Sequence, residues 1–143
     1  MDTEPLLLLS VRFSHKKISS DEIIQNINII PDVKRSVGEE WTPKNKQTEG
    51  KINEITYVAK TIIKTNDIDL ENAIKKANEL LMKNLNYINK FNNSGGKIDY
   101  YITIVSTKYY GFDLSPEIIK ECAVLGIEIG VELFADIEKS NFE

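Results

Sequence analysis

The pattern of apolar and polar positions is clearest over residues 97–134. There Ile98, Tyr100, Ile102 and Ile104 alternate with Asp99, Tyr101, Thr103 and Val105, the period of two that predicts a strand. Leu114-Ser115-Pro116-Glu117-Ile118-Ile119 then predicts a helix start. Ser115 suits the cap, Pro116 the first helical position, and Leu114 can staple onto Ile119. Gly126 stands where a helix ends in the left-handed conformation. Beyond it Ile127, Ile129, Val131 and Leu133 alternate with Glu128, Gly130 and Glu132, a second strand with one dry face.

The same reading extends upstream. Residues 6–14 predict a first strand, with Leu7, Leu9, Val11 and Phe13 on one face and Leu6, Leu8, Ser10 and Arg12 on the other. Two apolar positions on the second face point to a central strand covered on both sides at its start. A loop, Ser14-His15-Lys16-Lys17, leads to a helix with Ile23, Ile24 and Ile27 inward. Ser19 would cap it, with Glu22 closing a capping box and Ile18 stapling onto Ile23, and Pro31 ends it. Asp32–Val37 reads as a short strand, and residues 38–51 as a long irregular loop. Residues 52–64 read as a long strand. One helix is expected over residues 70–92, with Leu70, Ala73, Ile74, Ala77, Leu81, Leu85, Ile88 and Phe91 at steps of three and four. Gly95-Gly96 caps it, and the polar tail after Phe134 frays.

This order predicts an α+β fold, a two-layer sandwich whose first six elements follow the ferredoxin-like β-α-β-β-α-β order, with an added α-β. The sheet should be mostly antiparallel with the helices on one face. A single domain over 1–143 is expected, with its core at about 6–134. Ser20-Asp21-Glu22-Ile23-Ile24 also echoes Ser115-Pro116-Glu117-Ile118-Ile119, as an internal duplication or as two convergent caps.

Val11-x-Phe13, Ile18-Ser19-x-x-Glu22-Ile23, Ile30-Pro31 and Gly38-x-x-Trp41, together with the long helix and Leu114-Ser115-Pro116-Glu117 followed by Leu125-Gly126-Ile127, form a recognisable set. On these residues the chain resembles a family of uncharacterised bacterial proteins, domain-of-unknown-function family 4279, over about residues 6–134. Ile55-Thr56-Tyr57-Val58 stands where the family pattern leads one to look for a tryptophan. The resemblance implies a small α+β domain and brings no assigned chemistry.

Composition narrows the classes of function. The chain of 143 residues is 41% hydrophobic and 28% charged, ordinary for a globular protein. A net charge of −4, with only Arg12 and Arg35 as arginines among 18 basic residues, argues against a nucleic-acid surface and for a basic protein partner. Cys122 is the single cysteine, which fits a reducing cytoplasm. Leu6–Leu9 follow acidic Asp2 and Glu4 rather than a basic segment, and no run suits a membrane span. A cytoplasmic protein is expected.

Candidate chemistry is sparse. His15 is the one side chain suited to acid–base work near neutrality, set against an ordinary exposed loop histidine. Cys122, four residues after Ile118 and three before Leu125, occupies the position of a buried small hydrophobe. No metal-ligand spacing, phosphate loop or dinucleotide fingerprint is present, so no cofactor or metal is expected. Two segments suit surface recognition instead: the loop holding Tyr109, Tyr110, Phe112 and Asp113, and Trp41 within the long polar loop. Phe112 or Tyr109 folding back over the core is the competing reading. Glu128 and Glu132 read as a solvated face that discourages edge pairing.

Three functional readings follow. The first is a non-catalytic binding domain, in concrete form an immunity-type protein that neutralises a basic bacterial toxin by direct contact. The second is a small-molecule-binding domain or small enzyme with a pocket between the sheet and loops 38–51 and 107–114, using His15 or a carboxylate pair. The third is a homo-oligomer that pairs through an edge strand.

Overall fold

The computed structural model describes residues 4–40 and 51–135. In chain order it comprises β1 (Leu6–His15), α1 (Ser20–Ile27), β2 (Val33–Arg35), β3 (Thr56–Thr65), α2 (Leu70–Met82), α3 (Leu85–Asn93), β4 (Lys97–Val105), α4 (Pro116–Leu125) and β5 (Ile127–Phe134). The strands form one five-stranded sheet in the order β2-β3-β1-β4-β5. β1 runs antiparallel to both β3 and β4, β2 antiparallel to β3, and β5 parallel to β4. The fold is therefore α+β with a mostly antiparallel sheet. The order and directions of β1 to β4 are compatible with the ferredoxin-like arrangement, and α4-β5 adds a parallel strand at one edge.

The period of two in β1 decides which face is dry. Leu7, Leu9, Val11 and Phe13 are fully buried, and they share one core with Ile98, Tyr100, Ile102 and Ile104 of β4 and the buried residues of all four helices. The helices thus cover one face. β1 is central, and its start is covered on the second face as well, where Leu6 is 2% exposed.

Local signals account for most element ends. Ser19 Oγ accepts from the Glu22 amide, and Asn28 ends α1 in the left-handed conformation at φ 61°. Only the Ser19 half of the expected capping box forms, and the Glu22 carboxylate accepts from the Tyr87 hydroxyl. Ser115 Oγ caps α4 by accepting from the Ile118 amide, and Gly126 closes it at φ 67°. The expected staple partner Ile119 is half exposed, while Leu114 packs against the core. Both caps sit three residues before the amide they bind. In the internal echo, however, Ser20 and not Ser19 aligns with Ser115. The echo is therefore offset by one residue from the two caps.

Three boundaries differ from the sequence expectation. The single helix expected over residues 70–92 is two, broken at Lys83-Asn84, where the Asn84 amide bonds Leu81 and Asn84 leaves helical geometry at φ −120°. Leu81, Leu85, Ile88 and Phe91 keep a helical spacing across the break, so periodicity alone could not reveal it. β3 starts at Thr56 instead of Ile52, because Ile52 and Ile55 are exposed and Ile52 makes only an isolated bridge to Glu40. A register shift opposite Leu9/Ser10 then brings Ile62 and Ile63 both against the core, breaking the alternation. β2 shortens from the expected Asp32–Val37 to Val33–Arg35, since Ser36 leaves the ladder to accept from the buried Ser20 amide.

Candidate functional site

The alternation that buries Val11 and Phe13 turns Ser10, Arg12 and Ser14 to the other sheet face, on which none of the described helices lies. The register does the rest. Arg12 lies opposite Asp99 of β4, Asp99 beside Glu128 of β5, and Thr103 beside Glu132. On the other side Arg12 faces Ala59, and Ser14 faces Tyr57, which in turn pairs with Arg35 of β2. A sheet face is thereby surfaced with charged and aromatic side chains, basic toward β2 and acidic toward β5.

Within this face Arg12 is held by three contacts. Its Nε donates to Asp99 Oδ1 at 2.7 Å and its Nη2 to Asp99 Oδ2 at 2.6 Å, a two-bond fork. Its guanidinium carbon stands 4.7 Å from the centre of the Tyr101 ring. The hydrogen bond to Asp99 raises the Arg12 pKa further, and Tyr57 adds to it. The Tyr101 hydroxyl donates to Glu132 Oε2 at 2.6 Å, and this bond, ahead of burial, holds the phenol above its ordinary range. Arg35 lies over Tyr57 at 5.6 Å, and Ser10 and Thr61 share a 2.8 Å hydroxyl bond. The side chains of Arg12 and Asp99 remain 36% and 26% exposed, so the fork is reachable from solvent. Arg12, Ser14, Tyr57, Lys97, Asp99 and Glu128 border a shallow groove of about 200 Å³.

The residues expected to carry recognition fall elsewhere. Tyr109 is almost wholly exposed and Asp113 is exposed, whereas Tyr110 is half-buried and stacks on Phe112 with centroids 6.3 Å apart. Phe112 packs against the core, so the fold-back reading holds for it and Tyr109 alone of the three aromatics projects. Trp41 and most of the 38–51 loop lie outside the described residues, as does the tail from 136.

His15 is neither exposed nor in a loop. It ends β1, is 3% exposed, and packs against Phe91 at 5.3 Å. Its Nδ1 accepts from the amides of Lys17 and Ile18, at 2.9 and 3.1 Å. The proton therefore sits on Nε2, which donates to Ser94 Oγ at 2.9 Å, and Ser94 donates onward to the Phe91 carbonyl. Both nitrogens are used in tying the β1–α1 turn to the end of α3.

Cys122 is buried as expected, beside Asn78. Asn78 accepts from the Tyr100 hydroxyl at 2.7 Å and donates to Glu121 at 3.0 Å, so this internal polar group is satisfied. Burial pushes the Cys122 thiol up, away from the reactive thiolate. Among the described residues no group of three His, Cys, Asp or Glu side chains could hold a metal ion, and no helix is long and apolar enough to cross a membrane.

Sequence reasoning did not single out the Arg12–Asp99 fork. The signal available was one of only two arginines at a polar position inside a central strand. Its partner, 87 residues away, depends on strand order. No curated protein and no solved structure matches this chain. The family model for a domain of unknown function, DUF4279, matches residues 7–136, and the protein belongs to that family.

Proposed function

We propose that this chain is a non-catalytic recognition domain that binds another protein through the helix-free face of its sheet. One observation carries the reading: Arg12, Asp99, Tyr101 and Glu132 are locked against one another on an open face, so little side-chain freedom remains to be lost on binding. The groove beside them, about 200 Å³, is below the roughly 300 Å³ at which pockets begin to enclose a small molecule. It suits a side chain presented by a protein surface. His15, the leading candidate for acid–base chemistry, is committed to structure through both nitrogens.

The partner this surface suits is basic. The chain carries a net charge of −4, and on the face itself Glu128 and Glu132 of β5 form the acidic edge, while Asp99 is paired with Arg12, and Lys97 and Arg35 carry positive charge farther in. In its most concrete form the reading is an immunity-type protein in a bacterial cytoplasm that covers a basic toxin, with electrostatic steering speeding the encounter. Tyr109 and Asp113, exposed on the loop after β4, offer a further contact beyond this face. The test is co-purification from the native host with identification of the bound protein, alongside sensitivity of cells lacking the gene to that protein. A bound basic toxin and sensitised cells support the reading. No stoichiometric partner and unchanged sensitivity overturn it.

A further inference from the structure

The two edges of the sheet are built differently. β2 exposes only three residues, Val33–Arg35, a length that gives little purchase for strand addition. β5 spans eight residues, Ile127–Phe134, with no proline, lysine or arginine in it. On its helix side Ile127 is buried, but Val131 and Leu133 are 40% and 64% exposed. Ile119 of α4 is 53% exposed as well. It projects about 160° around the helix from Glu121, the residue that reaches Asn78 of α2. It therefore points away from α2, toward the β5 edge. Among the described residues no strand pairs with the outer edge of β5 at Ile129 to Leu133, and an apolar strip lies beside it.

We infer that β5 pairs antiparallel with β5 of a second copy of this chain, about a two-fold axis at Val131. The sequence of β5 selects this register. A two-fold axis perpendicular to the sheet keeps the helices of both copies on one side, so residues on the same face must meet. Centring on Gly130 sets Glu128 directly against Glu132 of the second copy, and centring on Glu132 sets that carboxylate against itself. Like charges directly opposite are destabilising. Centring on Ile129 leaves Glu132 to Phe134 outside the pairing. Centred on Val131, Val131 meets itself, Ile129 meets Leu133, Glu132 meets Gly130 and Glu128 meets Phe134. No carboxylate stands directly opposite another, Glu132 meeting Glu128 and Glu132 of the second copy only on the longer diagonals, and the exposed Val131 and Leu133 are covered. The two copies of α4 flank the seam with their Ile119 side chains facing it. The five-stranded sheets join edge to edge, leaving both Arg12–Asp99 faces open on one side of the dimer.

Sedimentation velocity of the full chain, from about 1 to about 100 µM, tests the association, because this range brackets micromolar affinity. The expected result is a dimer that Val131→Lys weakens by about tenfold or more, since the substitution places two ammonium groups together at the axis. Circular dichroism checks that the variant folds. Cysteine substitutions test the register independently. Val131→Cys should cross-link under mild oxidation, because paired strands bring opposite Cα atoms within disulfide range. Leu133→Cys should not, because its copies lie about 13 Å apart along the strands. Cys122 is buried and does not compete. A monomer throughout the range, a dimer indifferent to Val131→Lys (including one built on another strand or helix face), or faster cross-linking at 133 than at 131 overturns the inference.

Discussion

Arg12 and Asp99 stand directly opposite each other on neighbouring strands and share two hydrogen bonds at 2.7 and 2.6 Å. The fork is partly exposed, so solvent screens it. Its coupling in a double-mutant cycle of Arg12→Ala and Asp99→Ala should be under about 1 kcal/mol, the range of cross-strand pairs. Arg12→Lys keeps the charge but should lose most of that coupling, because an ammonium cannot reproduce the planar fork. Urea denaturation of the four proteins measures it. A much larger coupling would make the pair a structural strut instead of a prepared surface.

His15→Ala should destabilise the protein by about 2 kcal/mol or more, because the amides of Lys17 and Ile18 lose a buried acceptor. His15→Asn should recover part of the loss, since its carbonyl can take the place of Nδ1. Denaturant titration of both variants checks this. Two variants as stable as the parent would show that the turn does not depend on the imidazole.

Burial holds the Tyr100 phenol well above its ordinary range, and its hydroxyl donates to Asn78. The sign follows from linkage. An unfolded tyrosine loses its proton near pH 10, whereas the folded one keeps it to higher pH. Its contribution is thus complete below pH 10 and lost as pH rises toward the folded value. Stability should fall on the alkaline side. Tyr100→Phe should cost about 1–2 kcal/mol at neutral pH, from the unpaired Asn78 carbonyl, and should make the alkaline decline shallower. Tyr87, raised chiefly by burial, and Tyr101 shift the same way, so some decline remains. Denaturation at several pH values from neutrality upward reads both effects.

Gly126→Ala should be costly for two reasons. The backbone sits at φ 67°, and an added Cβ would stand 2.6 Å from Asn92 Nδ2, which donates to the Leu125 carbonyl. The left-handed conformation alone costs about 1–2 kcal/mol for a residue with a side chain. Asn92→Ala in the same background should relieve the contact but not the backbone strain, and the pair of variants separates the two in a denaturation series.

The fold was legible where one physical cause acted locally. Ser19, Ser115 and Gly126 are caps whose chemistry needs only neighbours in sequence, and the dry faces of β1 and β4 follow from a period of two. What escaped had non-local causes. The α2–α3 break hides behind an unbroken apolar spacing, and the bulge in β3 exists only in relation to β1. His15 looked like a loop residue because nothing near it in sequence reveals the Ser94 and Phe91 that enclose it. The Arg12–Asp99 fork needs the strand order β3-β1-β4, which no single strand encodes. The sequence did mark the loop aromatics, but only the structure separates the projecting Tyr109 from Phe112, which the core claims.

The central claim is that the helix-free sheet face is the recognition surface. The most direct measurement is the affinity of the co-purified partner, by calorimetric titration, for the parent chain, for Glu128→Lys with Tyr101→Ala on that face, and for Lys75→Glu on the exposed side of α2. Glu128 and Lys75 are both exposed, so neither charge change disturbs the core. The expected result is a loss of about tenfold or more for the sheet-face variant, on the scale of a hot-spot aromatic, and little change for the helix variant. Parent-like binding by the sheet-face variant, with the partner lost from Lys75→Glu, would place recognition on the helices and contradict the claim.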